Sequence, residues 1–255
     1  MKVQPDYRPL GCQDCLHGES LGFDFSMAFQ PIVNIKTRRI FAYEALVRGL
    51  NNEPADAVFS LVNETNRYRF DQTCRVKAVK LASALGMPCN LSINFMPNAV
   101  YRPELCIRTT LQAAETYGFP IERIIFEITE GEKVDDHEHL RDIVDHYKAR
   151  GFKTAIDDFG AGYAGLNFLA EIKADIVKLD MGLIRHIDKD KTRQAIVKGI
   201  LQVCNDLGCD VLAEGVETRE EFSVLTSFGI EKFQGYYFAK PAFESLPQVT
   251  FDNMV

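Results

Sequence analysis

The chain has 255 residues, 46% of them hydrophobic and 25% charged, with a formal net charge of −7. That composition is ordinary for a globular protein and bounds it to one large α/β domain or two small ones. The negative balance, without any dense Lys/Arg run, argues against a nucleic-acid polymer as partner, and no apolar run is long enough to span a bilayer.

Residues 1–22 read as an extension and residues 23–255 as one domain. The start, MKVQPDYRPLGC, lacks the apolar core of a signal peptide. Seven cysteines in such a chain point to reduced thiols in a cytoplasm. Cys12, Cys15 and His17 resemble part of a zinc site, but a closed structural site needs a fourth ligand and none stands nearby in sequence. Two readings stay open for them, a mobile or merely packed tail, and metal or redox chemistry, within one chain or shared between subunits.

From Met27 onward, short apolar runs alternate with helical patterns. The predicted strands are MAFQPIVN, RIFAYEALV, CNLSINF, RIIFEIT, KTAID, ADIVKLD, CDVLAE and EKFQGYYF. Between them, LRDIVDHYKARG sets Leu140, Ile143, Val144 and Tyr147 on one helical stripe and stops at Gly151. QAIVKGILQVCNDLG sets Ile196, Ile200, Leu201 and Val203 on another and stops at Gly208. His137 and His139 are expected on a solvated helix start rather than in a metalloprotease motif, whose spacing is missing. Strands linked by crossover helices predict a parallel sheet, which at this length closes as a (β/α)8 TIM-type barrel; an open doubly wound sheet is the runner-up. Cys74, Cys89, Cys106, Cys204 and Cys209 fall where small core residues fit.

Strand after strand ends on a residue able to bind a cation or carry a proton: Glu44, Asn94, Glu127, Asp157 with Asp158, Lys178, Glu214 and Gln234. In a barrel these ends share one rim, and side-chain parity selects which of them point inward. Parity separates Glu127 from Glu130, so the two acids should not do the same job. A single strand-end acid is usually a cap or a turn. Glu44, Glu127, Asp157, Asp158 and Glu214 on one rim would repel one another without compensating charge. Hard divalent cations, Mg2+ or Mn2+, supply it. The adjacent aspartates suit two ions, one carboxylate bridging and the other serving the second ion. Such a pair holds a phosphodiester and activates a water, with Lys178 placed to orient that water or neutralise developing charge.

These residues lie in motifs, EALVR, the Asn94 strand, FEITE, DDFGAGYAGL, VKLD, AEGVE and FQGYYFAKP, whose order and spacing resemble the EAL-domain cyclic-di-GMP phosphodiesterases of bacteria. The resemblance runs from Phe25 to Phe243. It implies a barrel with one antiparallel strand and hydrolysis of cyclic di-GMP to linear pGpG. It implies one metal held by Glu44, Asn94, Glu127 and Asp157, and another held by Asp157, Asp158 and Glu214, with Lys178 on the attacking water and Arg48 on a substrate phosphate. Gln30 and Gln234 match substrate or metal-water contacts, Asp180 a guanine edge, and Glu130 the acid that anchors the loop DDFGAGYAGLNF. That loop implies a homodimer, and its Gly160 and Gly162 give it backbone freedom. Any regulator is then a partner protein, the dimer interface or the extension.

Ala161, Ala164 and Gly165 stand where members of the family often carry hydroxyls, and Met96 where many have a serine; no metal ligand is lost. Two other functions stand beside the leading one: a non-hydrolytic domain that binds cyclic di-GMP or a protein, and another two-metal barrel hydrolase, such as one acting on phosphomonoesters.

Overall fold

The computed structural model describes residues 21–100, 102–129, 137–162 and 165–251, so Cys12, Cys15, His17 and Glu130 lie outside the described residues. In chain order, the elements are β1 (Ser26–Asn34), β2 (Arg39–Arg48), α1 (Ala55–Phe59), α2 (Arg67–Ala84), β3 (Asn90–Phe95), α3 (Pro103–Cys106), α4 (Arg108–Tyr117) and β4 (Ile124–Thr129). They continue with α5 (His137–Ala149), β5 (Lys153–Phe159), α6 (Gly165–Glu171), β6 (Ile176–Leu179), α7 (Met181–Ile184), α8 (Lys191–Leu207), β7 (Asp210–Ala213), α9 (Arg219–Ser227), β8 (Lys232–Phe233) and β9 (Ala242–Phe243).

The strands pair in the order β2-β3-β4-β5-β6-β7-β8-β1, and β1 also pairs with β2, so the sheet closes on itself. β2 to β8 run parallel, whereas β1 is antiparallel to both of its neighbours. An all-parallel sheet, as the crossover pattern alone predicts, is thus corrected at its first strand. Residues 35–38 are the whole link between β1 and β2, and a parallel crossover needs about a dozen. β8 meets β1 only at Val33 and Asn34, and β9, absent from the predicted strands, pairs with Ala28 and Phe29 beyond it.

Two layers of side chains fill the barrel. Ile32, Ala42, Ile125, Ala155, Ile176 and Leu212 form an apolar cluster of their own, distinct from the larger core. Two positions further toward the rim stand Gln30, Glu44, Glu127, Asp157, Lys178 and Glu214, pointing to the same side because strand side chains alternate with period two. The larger core lies between barrel and helices. Leu140, Ile143, Val144 and Tyr147 of α5 are fully buried in it, as their spacing predicts. On α8 the buried stripe is Val197, Ile200 and Cys204, and Ile196 is 46% exposed, so the predicted face is rotated by about one position. Cys74, Cys106 and Cys204 are buried, and none of the five described cysteines forms a disulfide. His139 is half-buried and meets the Val100 carbonyl rather than lying open to water.

Candidate active site

The polar layer owes its geometry to strand register. Glu44 pairs in register with Ser92, and Asn94 with Glu127, so neighbouring strands bring these groups to one height. Asn94 Nδ2 donates to Glu44 Oε1 at 2.8 Å, and Ser92 Oγ donates to Glu127 Oε1 at 2.5 Å. Gln234 Nε2 donates to Glu44 Oε2 at 2.6 Å and to Gln30 Oε1 at 3.3 Å, and Gln30 Nε2 donates to the Ala239 carbonyl at 3.3 Å. Ser92 shares the inward parity of Asn94, and that parity is the sequence signal for its role as a holder of Glu127.

Adjacent aspartates on a regular strand would face opposite ways. Here the β5–β6 register shifts between Ile156 and Phe159, and Asp158 has φ 53°. Such a bulge inserts extra residues into one strand and re-aims side chains, and aspartate tolerates the left-handed region better than most residues. The strand then continues to Phe159, beyond the predicted end. Gly160 follows at φ 98°, where an added Cβ would lie 2.5 Å from Leu183 Cδ1, so this turn requires glycine. Gly162 has open space and no such demand.

Lys178 is 1% exposed and sits among the acids. Its Nζ lies 2.7 Å from Asp157 Oδ1, 2.8 Å from Glu214 Oε1, 2.9 Å from Glu127 Oε2 and 3.8 Å from Glu44 Oε2. Burial works against its charge, yet Asp157, Glu127, Glu214 and Glu44 together leave its pKa well above the usual lysine value. Burial and then the Glu44 charge push Glu127 well above the carboxylate range. Burial, partly opposed by Lys178, does the same to Glu214. Burial followed by the Asp157 charge raises Asp158 to about 6. One ammonium therefore does not neutralise this cluster.

Two triads emerge, Glu44 with Glu127 and Asp157, and Asp157 with Asp158 and Glu214; in each, one oxygen per residue lies within 4.8 Å of the others. Asp157 belongs to both. An all-oxygen donor set carrying excess negative charge fits hard divalent ions. Beside the triads a cavity of about 520 Å³ runs past Arg48, Asn94, Asp157 and Asp158 to Phe59, Phe70 and Met96. Arg48 is half-buried on its wall, with Nη1 donating to the Val47 carbonyl at 2.7 Å. Asp180 stands apart from the triads: its Oδ1 accepts from Gly182 N at 2.7 Å and caps α7.

The EAL domain family model matches residues 19–241. The chain belongs to the EAL domain family. Among solved structures, the EAL domain here is similar to a standalone versatile EAL protein from Vibrio cholerae O395 in its c-di-GMP-bound form, at 62% identity and TM-score 0.89, covering 91% of this chain and 98% of that one. It is also similar to Klebsiella pneumoniae BlrP1 in a manganese/cy-diGMP complex, at 34% identity and TM-score 0.83, covering 88% of this chain and 58% of BlrP1. Among curated relatives, the Escherichia coli K12 blue light- and temperature-regulated antirepressor BluF is 34% identical over 87% of this chain and 55% of its own length. The cyclic di-GMP phosphodiesterase PA2567 of Pseudomonas aeruginosa is 27% identical over 85% of this chain and 38% of its own length. This chain thus spans about half or less of those two relatives. Among the described residues, no helix is long and apolar enough to cross a membrane.

Proposed function

We propose that this EAL domain hydrolyses one phosphodiester of cyclic di-GMP to linear pGpG, using two divalent ions, Mg2+ or Mn2+. Glu44, Asn94, Glu127 and Asp157 would hold one ion, and Asp157, Asp158 and Glu214 the other. The observation that carries this reading is the pair of acidic triads sharing Asp157, with the Lys178 ammonium among them. When bound, the ions supply positive charge to the phosphate oxygens and lower the pKa of a water.

The remaining work falls to the chain's own side chains. Lys178 orients the attacking water and offsets charge that develops on the phosphate. The water oxygen joins phosphorus, the bond to the 3′ oxygen breaks, and one proton passes from the water to the leaving oxygen. Glu214 stands beside Lys178 at 2.8 Å in the second triad, where it would hold the second ion next to that water. Arg48 grips a phosphate with its planar fork. Gln234 and Gln30 keep Glu44 in place and meet the substrate beside it, and Asp180 faces a guanine edge once released from its cap. The cavity of about 520 Å³ lies within the range of small-molecule sites, and its aromatic wall offers a face to a base. The c-di-GMP-bound Vibrio protein, the manganese complex of BlrP1 and the phosphodiesterase PA2567 support this reading.

The test is conversion of cyclic di-GMP by the purified chain with Mg2+ or Mn2+, with and without a chelator. The expected product, pGpG, forms only with the ion; its absence with every ion sinks the proposal. BluF, described as an antirepressor, favours one second reading, a domain that binds without hydrolysis. Binding of cyclic di-GMP with no turnover would select it, and turnover of p-nitrophenyl phosphate in preference would select a phosphomonoesterase.

The same proposal makes residues 23–255 the catalytic unit and residues 1–22 an appended segment, working in the cytoplasm. It pairs two copies through Leu166 and Met181, exposed at 57% and 47% near the β5 loop; a monomeric mass in solution would remove that part. Glu130 is assigned to anchoring this loop, and a regulatory protein to either the dimer or the appended segment. Zinc at Cys12 and Cys15 is checked by metal analysis, where unchanged zinc in Cys12→Ser rejects it.

A further inference from the structure

α2 carries Asp71 and Arg75 one turn apart on the same face, and both are buried. Arg75 Nη2 pairs with Asp71 Oδ2, while Arg75 Nη1 donates to Tyr147 Oη of α5 at 3.0 Å. The guanidinium carbon lies 5.4, 5.3 and 5.9 Å from the ring centroids of Phe95, Phe126 and Tyr147. The other carboxylate oxygen, Asp71 Oδ1, accepts from Met96 N at 3.0 Å.

Burying an ion pair costs several kcal/mol per ion, and replacing both partners by apolar groups is often neutral or stabilising. Stability alone gives this pair no reason to exist. Met96 supplies one. The β3–β4 ladder ends at Phe95, the β2–β3 ladder at Ile93, and the chain turns into a 3-10 turn at Pro97–Ala99. Among the described residues no neighbouring strand accepts from the Met96 amide, and the Asp71 carboxylate does so in the ladder's place. Two residues earlier stands Asn94, bonded to Glu44, and Asp71 lines the same cavity as Asn94, Asp157 and Arg48.

We propose that Asp71 is a positioning residue: it clamps the Met96 amide, fixing the end of β3 so that Asn94 meets Glu44, while Arg75 and Tyr147 hold its carboxylate in line. The proposal rests on the two-ion reading of the barrel mouth. It assigns a role in that site to a residue on a helix outside the barrel, reached through the backbone and not through substrate.

Two double variants of the full chain separate this from a purely structural role. D71N/R75M and D71L/R75M both lack the buried charges, but only the first keeps an oxygen for the Met96 amide. Mn2+ titration of the first should stay within about threefold of the parent, whereas the second should bind about tenfold more weakly or worse, the usual cost of losing an outer support of a metal ligand. Turnover of cyclic di-GMP should fall through kcat more than through KM. Deuterium exchange at residues 94–97 should rise about tenfold in D71L/R75M, with β6 unchanged. Leu225→Ala, a buried position on α9, should lower the melting temperature and leave Mn2+ affinity alone. Equal Mn2+ affinity and equal exchange at 94–97 in the two double variants overturn the proposal. If the parent binds no Mn2+, the phosphodiesterase reading falls, and exchange at 94–97 alone decides the role of Asp71. If D71L/R75M does not fold, Asp71→Glu keeps the ion pair but moves the carboxylate by one methylene; Mn2+ affinity equal to the parent's then overturns it.

Discussion

The barrel holds two layers, built on the same strands with the same parity and separated by one inward-facing step. The lower one, Ile32, Ala42, Ile125, Ala155, Ile176 and Leu212, is an apolar plug. The upper one gathers Glu44, Glu127, Asp157 and Glu214 around Lys178. The plug is complete in itself: its methyl groups leave water and fill space. The upper layer is not, because burial and mutual repulsion lift the pKa of Glu127 and Glu214 well above the carboxylate range. Stability is concentrated below, and unrelieved charge above. An arrangement that weakens the metal-free protein is intelligible as a receptacle for cations.

The sharpest way to break this comparison is Asp157→Ala. Asp157 belongs to both triads, so its loss should abolish high-affinity Mn2+ binding and cut turnover by about 10³-fold or more, in line with the several kcal/mol that metal ions contribute to charge stabilisation. The metal-free variant should melt no lower than the parent, since the lost attraction for Lys178 at 2.7 Å is offset by relief of repulsion on Asp158, Glu127 and Glu214. A large drop in melting temperature would show that the upper layer is structural after all. Lys178→Met should lower kcat by about 10²–10³-fold with little change in KM; equal losses in both contradict the work on the water proposed for it. In the plug, Ile176→Ala should cost about 2–5 kcal/mol of stability, read by denaturant unfolding, and leave Mn2+ affinity in the folded fraction unchanged.

How much of this was legible in the sequence differs between the layers. The eight barrel strands and the α5 stripe were readable because period-two and period-3.6 patterns are local. So were Glu44, Asn94, Glu127, Lys178 and Glu214, whose parity follows from their strands. The reversal of β1 was written in the short link at 35–38, a topological signal rather than a periodic one. Two features needed the tertiary structure to explain them. Asp158 is expected at the site from the adjacent aspartate pair, but regular strand parity would turn it away, and it gets there through a register shift and φ 53°. Asp71 lies on a helix whose buried face carries Gln72, Thr73 and Arg75 as well as apolar residues, so hydrophobic periodicity is silent there.

Acid should distinguish the layers too. Asp158 is raised to about 6 by burial and by Asp157, above an unfolded value near 3.9. A group of this kind favours the fold most below its unfolded pKa and loses that contribution as pH rises through its folded one. Metal-free protein should therefore lose this contribution between about pH 4 and pH 6, and the raised Glu127 and Glu214 act in the same direction. Cations need the deprotonated form, so Mn2+ affinity should move oppositely and weaken as pH falls below about 6. Parallel melting curves and Mn2+ titrations across that range check both signs. Mn2+ at a hundred times its Kd should add about 2.7 kcal/mol to stability at neutral pH.

The smallest expected effect falls on a residue that joins the two layers. Ser92 is buried and its hydroxyl donates a hydrogen bond to Glu127 Oε1 at 2.5 Å, beneath the acidic cluster. Ser92→Ala removes one hydrogen bond and nothing of the plug. A bond to a charged acceptor contributes about 1.5–3 kcal/mol, but Glu127 keeps its contact with Lys178 at 2.9 Å, so the loss should sit at the low end. Turnover should drop roughly tenfold and Mn2+ affinity several-fold, with fold stability nearly unchanged if, as the two-ion proposal has it, the freed carboxylate oxygen turns to a cation. If stability falls instead while affinity holds, Glu127 is fastened for the sake of the barrel, and the division between a self-sufficient plug and a cation-dependent mouth has to be drawn one step higher.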